Sequence, residues 1–125
     1  SLGRGFLTGQ FRQPDDLPDG DRRHDHPRFH PDNMKKNERL LSILDDTASA
    51  KNCSPAQVAL AWVLAQGNDI LPIPGTKKRK WLKDNIAAVG ISLSTDECAK
   101  LEEVFVPGVT AGLRYPSKQM ASLVN

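Results

Sequence analysis

Four segments of the chain carry apolar residues at intervals of three and four, and we predict a helix for each. These segments span residues 32–51, 54–67, 78–88 and 94–105. Two of the helix starts are well marked, because Ser54 is followed by Gln57 and Ser94 by Glu97. Each pair can form a capping box, in which the serine hydroxyl and the longer side chain satisfy the free N–H groups at the helix start.

Two short apolar runs are predicted to be strands. The first leads from Ser1 into Leu2–Leu7 and ends in a glycine-containing turn, and the second covers Asp69–Ile73. A strand, a helical crossover and a second strand form a parallel βαβ unit, which needs neighbouring strands and cover on both faces. We therefore predict an α/β chain, mostly helical with two short parallel strands. Its exposed strand edges should be covered by another chain or by the rest of a larger barrel.

Two stretches show neither the helical nor the strand pattern of apolar residues. Residues 10–31 contain four of the nine prolines and are predicted to form a surface loop. Residues 107–125, which begin with Pro107-Gly108, are predicted to form an irregular C-terminal tail. Because the chain opens on an apolar segment without a starting Met, we expect it to be a piece of a longer protein.

Composition narrows the class of protein. Hydrophobic residues make up 38% of the chain and charged residues 26%, which is typical of globular proteins. A net charge of +2 is too small to indicate a nucleic-acid or membrane partner, and no apolar run has the length of a membrane span. Cys53 and Cys98 lie far apart without metal-ligand spacing, so we predict reduced thiols and a cytoplasmic protein.

The turn after the second predicted strand is suited to binding an anion. Gly75 permits a tight turn, and the helix that follows presents free N–H groups and the positive end of its dipole. Four consecutive basic residues, Lys77 to Lys80, add fixed positive charge at the same place. The residues alone leave a solvated basic turn open as an alternative, and they give a nuclear-localisation or DNA-contact interpretation less support.

Several motifs together resemble one enzyme family. Leu2-Gly3-Arg4-Gly5 is similar to a Ser-Pro-Leu-Gly-Arg-Gly segment after the seventh strand of aldo-keto reductases, and Ile70–Lys77 to that family's eighth strand. Ser54–Trp62 resembles the crossover helix, and Arg114-Tyr115-Pro116 the C-terminal tail. The resemblance covers essentially the whole chain and implies the last third of a (β/α)8 TIM barrel. All of residues 1–125 would then belong to a single NADP-dependent oxidoreductase domain.

The resemblance implies NADPH as cofactor and a small carbonyl compound, an aldehyde or ketone, as substrate. Residues near the chain start would contact the pyrophosphate, namely Ser1, Leu2, Gly3, Arg4 and Gln10. Residues of the basic turn would hold the 2′-phosphate, namely Gly75, Thr76 and Lys77, with Lys78 and Arg79 as further candidates. Trp81 would stack near the adenine ribose, and Asp84 and Asn85 would contact the adenine. Arg114 and Tyr115 in the tail would shape the substrate pocket.

The catalytic group that the family requires is not found in the chain. In aldo-keto reductases a Tyr donates the proton, supported by Lys, Asp and His from the first part of the barrel. Tyr115 is the one tyrosine here, and we expect it to pack at the mouth of the pocket. We therefore predict the cofactor-binding portion of a reductase, inactive as an isolated fragment. The alternative is a truncated, non-catalytic paralogue that acts as a nucleotide-binding or interaction module.

Histidine and acidic residues gather in the proline-rich loop. His24, His26 and His30 lie near Asp25 and Asp32. Metal ligands need a rigid frame and supporting partners, so we favour a solvated loop and predict no metal site.

Overall fold

The computed structural model of the chain describes residues 2–123. Within them five α-helices follow one another: α1 Pro31–Ala50, α2 Pro55–Leu64, α3 Arg79–Ala87, α4 Thr95–Val104 and the short α5 Ser117–Met120. Brief 3-10 helices lie at Gly3–Thr8, Pro14–Asp16, Arg22–Asp25, Pro27–Phe29, Ala88–Gly90 and Ala121–Leu123. No helix among the described residues is both long and apolar enough to cross a membrane.

Both predicted capping boxes are confirmed. The Ser54 hydroxyl accepts from the Gln57 N–H at 3.3 Å, and the Ser54 N–H donates to Gln57 Oε1 at 2.9 Å. Ser94 and Glu97 repeat this exchange at the start of α4, at 3.2 and 2.7 Å. Four free N–H groups are thereby satisfied locally, which fixes where α2 and α4 begin.

The hydrophobic core lies where α1 contacts α2 and α4. Leu41 and Leu44 of α1, Val58 of α2 and Leu101 of α4 are buried together, each at most 2% exposed. Phe6 and Phe29 extend this core toward the N-terminal segment, and their rings meet edge to face with centroids 6.5 Å apart. Burial of this apolar surface is the main force that holds the segments against α1.

The prediction of two parallel strands is wrong for the described residues, which contain no strand. Residues 2–8 coil into a 3-10 turn instead, because the Gly5 and Leu7 N–H groups both donate to the Leu2 carbonyl. Residues 71–76 run without regular structure and without a neighbouring segment to complete a ladder. A strand is defined by its hydrogen-bonded partner, and neither segment has one here.

The tail is tied back onto α1. Asn37 is only 1% exposed, and its amide donates to the Ala111 carbonyl at 3.0 Å while its oxygen accepts from the Ala111 N–H at 2.7 Å. A buried amide with both ends paired is stable, whereas an unpaired one is costly. The region predicted to be irregular therefore has a defined path, and it includes the short α5.

Gly112 should tolerate substitution less well than Gly108. Both have positive φ, +85° and +84°, where an L side chain costs about 1–2 kcal/mol. At Gly112 an added Cβ would also lie 2.8 Å from the Pro27 carbonyl atoms, whereas at Gly108 no atom lies within 4 Å. Urea unfolding should therefore show a larger loss of stability for Gly112→Ala than for Gly108→Ala. Equal losses would contradict the close approach of the tail to Pro27.

Candidate functional site

One cleft of about 860 Å³ gathers residues from five parts of the chain. They come from the N-terminal turn, the proline-rich loop, the start of α2, the basic turn with α3, and the tail. The lining residues are Leu2, Gly3, Arg4, Gly5, Thr8, Gln10, Phe11, Arg23, Arg28, Ser54, Ala56, Pro74, Gly75, Thr76, Lys77, Lys78, Trp81, Asp84, Asn85, Arg114 and Tyr115.

The N-terminal turn forms one part of the lining through an unusual backbone. Three consecutive residues, Gly3, Arg4 and Gly5, have φ of 57°, 57° and 92°. Glycine adopts such angles without strain, but Arg4 does so only where its surroundings hold it. A non-glycine residue in this conformation is often found at functional sites.

Arg23 supplies that restraint. Its Nη1 donates to the Arg4 carbonyl at 3.0 Å, while Nε and Nη2 donate to the Asp21 carboxylate at 3.0 and 2.7 Å. Its guanidinium also lies 4.0 Å from the centre of the Phe11 ring. One side chain thus joins the proline-rich loop to the N-terminal turn through charge-assisted hydrogen bonds and a cation–π contact.

The basic turn presents its charge to solvent. Lys77 and Lys78 are exposed, and within the described residues no carboxylate pairs with them. Lys78 is the N-cap of α3, and no side chain caps this helix. Thr76 Oγ1 accepts from the Lys78 N–H at 3.2 Å, which shapes the turn just before the helix. Free N–H groups and unpaired cations make this helix start suited to an anion.

Gln57 links the two helix starts that line the cleft. Besides capping α2, its Nε2 donates to the Asp84 carbonyl in α3 at 3.0 Å. The capping residue Ser54 lies in the lining beside Asp84 and Trp81. The same short motif therefore sets the start of α2 and the position of α3 relative to it.

The tail completes the lining. Arg4 Nη1 donates to the Arg114 carbonyl at 2.8 Å, and its guanidinium lies 4.4 Å from the centre of the Tyr115 ring. The His26 ring lies 6.0 Å from the same ring. The pKa of His26 lies below its ordinary value, mainly because the ring is partly buried and, to a smaller extent, because Arg4 and Arg22 are nearby. The neutral imidazole is therefore favoured beside this concentration of arginines.

Most of the residues predicted to bind cofactor or substrate meet in this cleft. The lining includes Leu2, Gly3, Arg4, Gln10, Gly75, Thr76, Lys77, Trp81, Asp84, Asn85, Arg114 and Tyr115. Arg79, the first residue of α3, does not line it, and Ser1 lies outside the described residues. Their presence in one cleft does not test binding, so these assignments remain predictions.

Two arginines of the lining were missed by the sequence analysis. Arg23 and Arg28 lie in the proline-rich loop, which has no regular period that would assign them a direction. Only their positive charge, in a loop whose first half is acidic, could have marked these arginines as candidates. The loop itself folds into three short 3-10 helices, which hold both side chains toward the cleft.

Metal ligands and thiols are the other groups of the described residues that could carry chemistry. Residues 2–123 contain no group of three His, Cys, Asp or Glu side chains placed to hold a metal. Cys53 and Cys98 are unpaired, and burial raises the pKa of both thiols above their ordinary value. Such thiols are poor nucleophiles.

Known proteins with similar sequences define the family. Residues 1–105 match the model of the aldo/keto reductase family. The chain is 46% identical over 115 residues to the NADP(+) aldo-keto reductase yakc of Schizosaccharomyces pombe, covering 92% of this chain and 34% of that protein. It is 43% identical over 111 residues to the aldo-keto reductase str7 of Strobilurus tenacellus, covering 86% of this chain and 33% of that protein.

The chain therefore belongs to the aldo-keto reductase family, a family of oxidoreductases, as its motifs indicated. It spans about a third of the length of the curated relatives it matches.

The contribution of Asp21 to stability should depend on pH. Hydrogen bonds from the Arg23 side chain, and then from its backbone, lower the pKa of this carboxyl from 3.8 to about 2. A lowered pKa in the folded state gives stability that is present above the unfolded value and is lost as the pH falls toward about 2. Asp21→Asn should therefore be less stable than the wild type at pH 5, by a margin that shrinks toward pH 2.

Urea unfolding at several pH values measures that margin. Asp19→Asn is the matched control, because Asp19 is exposed and belongs to none of the ion pairs within the described residues. A margin that stays constant between pH 5 and pH 2 would contradict the pairing of Asp21 with Arg23.

Proposed function

We propose that this chain is the C-terminal, cofactor-binding portion of an NADPH-dependent aldo-keto reductase that reduces aldehydes or ketones to alcohols. The observation that carries the proposal is the cleft, in which the N-terminal turn and the basic turn meet although about 70 residues separate them. When bound, NADPH supplies the hydride. The residues of this chain bind and orient it.

The N-terminal turn suits the pyrophosphate. Leu2, Gly3 and Arg4 line the cleft, and glycine next to a coiled backbone allows close approach of a phosphate. Arg4 forms no ion pair with a carboxylate among the described residues, so its positive charge remains for an anion. Gln10 lines the same part of the cleft and adds a neutral hydrogen-bonding group.

The basic turn suits the 2′-phosphate of the adenosine. Gly75, Thr76 and Lys77 line the cleft just before an uncapped helix start, where backbone N–H groups and a lysine can bind phosphate together. Trp81, Asp84 and Asn85 follow on the inner side of α3. We propose that the indole stacks near the adenine ribose and that the two polar side chains contact the adenine.

The fission-yeast relative is an NADP(+) aldo-keto reductase by name, which supports the choice of NADP over NAD. In this chain the uncompensated charge of the basic turn favours the same cofactor. Arg114 and Tyr115 are proposed to shape the substrate pocket, because they lie in the lining beside Arg4. A cytoplasmic location remains a prediction from the two unpaired cysteines.

Replacing Lys77 by alanine in the full-length protein should weaken the binding of NADPH far more than the binding of NADH. A hydrogen bond between charged groups contributes about 1.5–3 kcal/mol, so the NADPH dissociation constant should rise about ten- to hundredfold. NADH lacks the 2′-phosphate, and its dissociation constant should change little. Titration with each cofactor, followed by tryptophan fluorescence, measures both constants, because Trp81 lies in the cleft.

Two further variants sharpen this test. Arg79→Ala should also weaken NADPH binding, but less than Lys77→Ala does, since Arg79 is exposed and lies outside the cleft lining. Lys100→Ala, which removes an exposed charge from α4, should leave both constants unchanged. Equal losses for NADPH and NADH in Lys77→Ala would rule out a 2′-phosphate role for the basic turn.

The isolated chain of residues 1–125 should show no reductase activity. Reduction of a carbonyl needs a proton donor of suitable pKa beside the developing alkoxide. Tyr115 is the one tyrosine of the chain, and the guanidinium groups of Arg4 and Arg114 lie 4.4 and 5.6 Å from the centre of its ring. NADPH oxidation by the purified chain in the presence of an aldehyde would contradict this assignment. An inactive full-length protein would instead favour a non-catalytic paralogue.

Apolar side chains beside the cleft support a role as part of a larger assembly. Leu71 is 83% exposed and Ile73 is 89% exposed, in a segment that pairs with no strand among the described residues. Adjacent exposed apolar side chains of this size are typical of an interaction surface. We propose that another part of the polypeptide, or another chain, covers them.

A further inference from the structure

Three arginines share the tail end of the cleft. Arg4 and Arg114 both approach the Tyr115 ring, at 4.4 and 5.6 Å from its centre, and Arg4 also donates to the Arg114 carbonyl. Arg28 reaches the same tail from the proline-rich loop, where its Nε donates to the Gly112 carbonyl at 3.3 Å. We call Arg4, Arg28 and Arg114 the arginine cluster.

The charges of this cluster are not compensated within residues 2–123. Arg12 and Arg23 each pair with an aspartate, at 2.8 and 2.7 Å, but none of the three clustered arginines pairs with a carboxylate in the described part of the chain. Burial, followed by the charges of Arg4 and Arg114, lowers the pKa of Arg28 below its ordinary value. Like charges gathered in a partly buried site repel one another, and a bound anion would relieve that repulsion.

Arg28 and Arg114 differ from the groups already assigned to the cofactor. They belong to the proline-rich loop and the tail, and neither adjoins the basic turn in sequence. The Tyr115 ring close to two guanidinium groups gives an apolar surface next to a positive one. A molecule with an apolar body and an oxyanion at its end would match both.

We propose that Arg28 and Arg114 of the arginine cluster bind a carboxylate on the carbonyl substrate, so that the enzyme favours aldehydes or ketones that also carry a carboxyl group. The planar guanidinium groups can pair with the two carboxylate oxygens. This inference rests on the proposed reductase function and names the class of substrate that the same cleft takes. Arg28 and Arg114 are recognition residues that hold the far end of the substrate.

The test compares two aldehydes of similar shape, 4-carboxybenzaldehyde and 4-nitrobenzaldehyde, with the full-length protein and NADPH. The ratio of their kcat/KM values, compared between variants, cancels their different intrinsic reactivity. Arg28→Gln and Arg114→Gln should each lower kcat/KM for the carboxylated aldehyde about ten- to hundredfold and leave that for the nitro compound unchanged. Arg114 is exposed, so the Arg114→Gln protein should fold even if the Arg28→Gln protein does not.

The control variant is Arg39→Gln, which removes an exposed arginine of α1 and should leave both aldehydes unaffected. The oxyanion could also be the cofactor's pyrophosphate, so the dissociation constant for NADPH is measured for every variant. A rise in that constant together with equal losses for both aldehydes would assign the cluster to the cofactor and overturn the proposal. Unchanged kinetics in both glutamine variants would overturn it as well.

Failure of the inference and failure of the proposed function give different results. If the wild type reduces 4-nitrobenzaldehyde but the variants do not discriminate between the two aldehydes, only the carboxylate assignment is wrong. If the wild type reduces neither aldehyde nor any other with NADPH, the reductase function is wrong and the carboxylate assignment is wrong with it.

Discussion

The shape of the cleft depends on the guanidinium of Arg23. It bonds to the Asp21 carboxylate on its own segment and to the carbonyl of Arg4, whose φ of 57° is unusual for a residue with a side chain. Because Arg4 is held in this way, its side chain reaches the Arg114 carbonyl and the Tyr115 ring. A local ion pair thus fixes the N-terminal turn, the turn fixes Arg4, and Arg4 helps to fix the tail.

The basic side chains of the described residues fall into two groups, those paired with a carboxylate and those without such a partner. Arg23 is neutralised by Asp21, and Arg12 by Asp45, and both serve to hold segments together. The cations of the basic turn and of the arginine cluster have no such partner among residues 2–123. Positive charge without internal compensation, at two places along one cleft, is the physical basis for proposing an anionic partner at each place, a cofactor phosphate at the basic turn and a substrate carboxylate at the arginine cluster.

Local features of the fold were predictable because their causes are local. The capping boxes at Ser54 and Ser94 join residues three positions apart, and both form as the sequence indicates. Asn52 has a φ of 54°, the left-handed conformation in which an asparagine commonly follows a helix end. The two predicted strands failed for the opposite reason. Strand formation needs a partner that a short pattern cannot supply, and the described residues provide none.

The site was only partly predictable on the same grounds. Motifs located the N-terminal turn and the basic turn, but motifs do not report contacts between distant residues. Arg4 and Arg114 are 110 positions apart, and Arg23 and Arg4 are 19 apart. Arg28 was missed because its partner, Gly112, lies 84 positions away and its own loop has no period.

A crystal structure of the full-length protein with NADP(+) tests the assignment of the cleft most directly. The proposal predicts the 2′-phosphate within hydrogen-bonding distance of the turn formed by Gly75, Thr76 and Lys77, and the pyrophosphate against Leu2–Arg4. A cofactor bound outside this cleft, or bound with its 2′-phosphate away from Lys77, would contradict it.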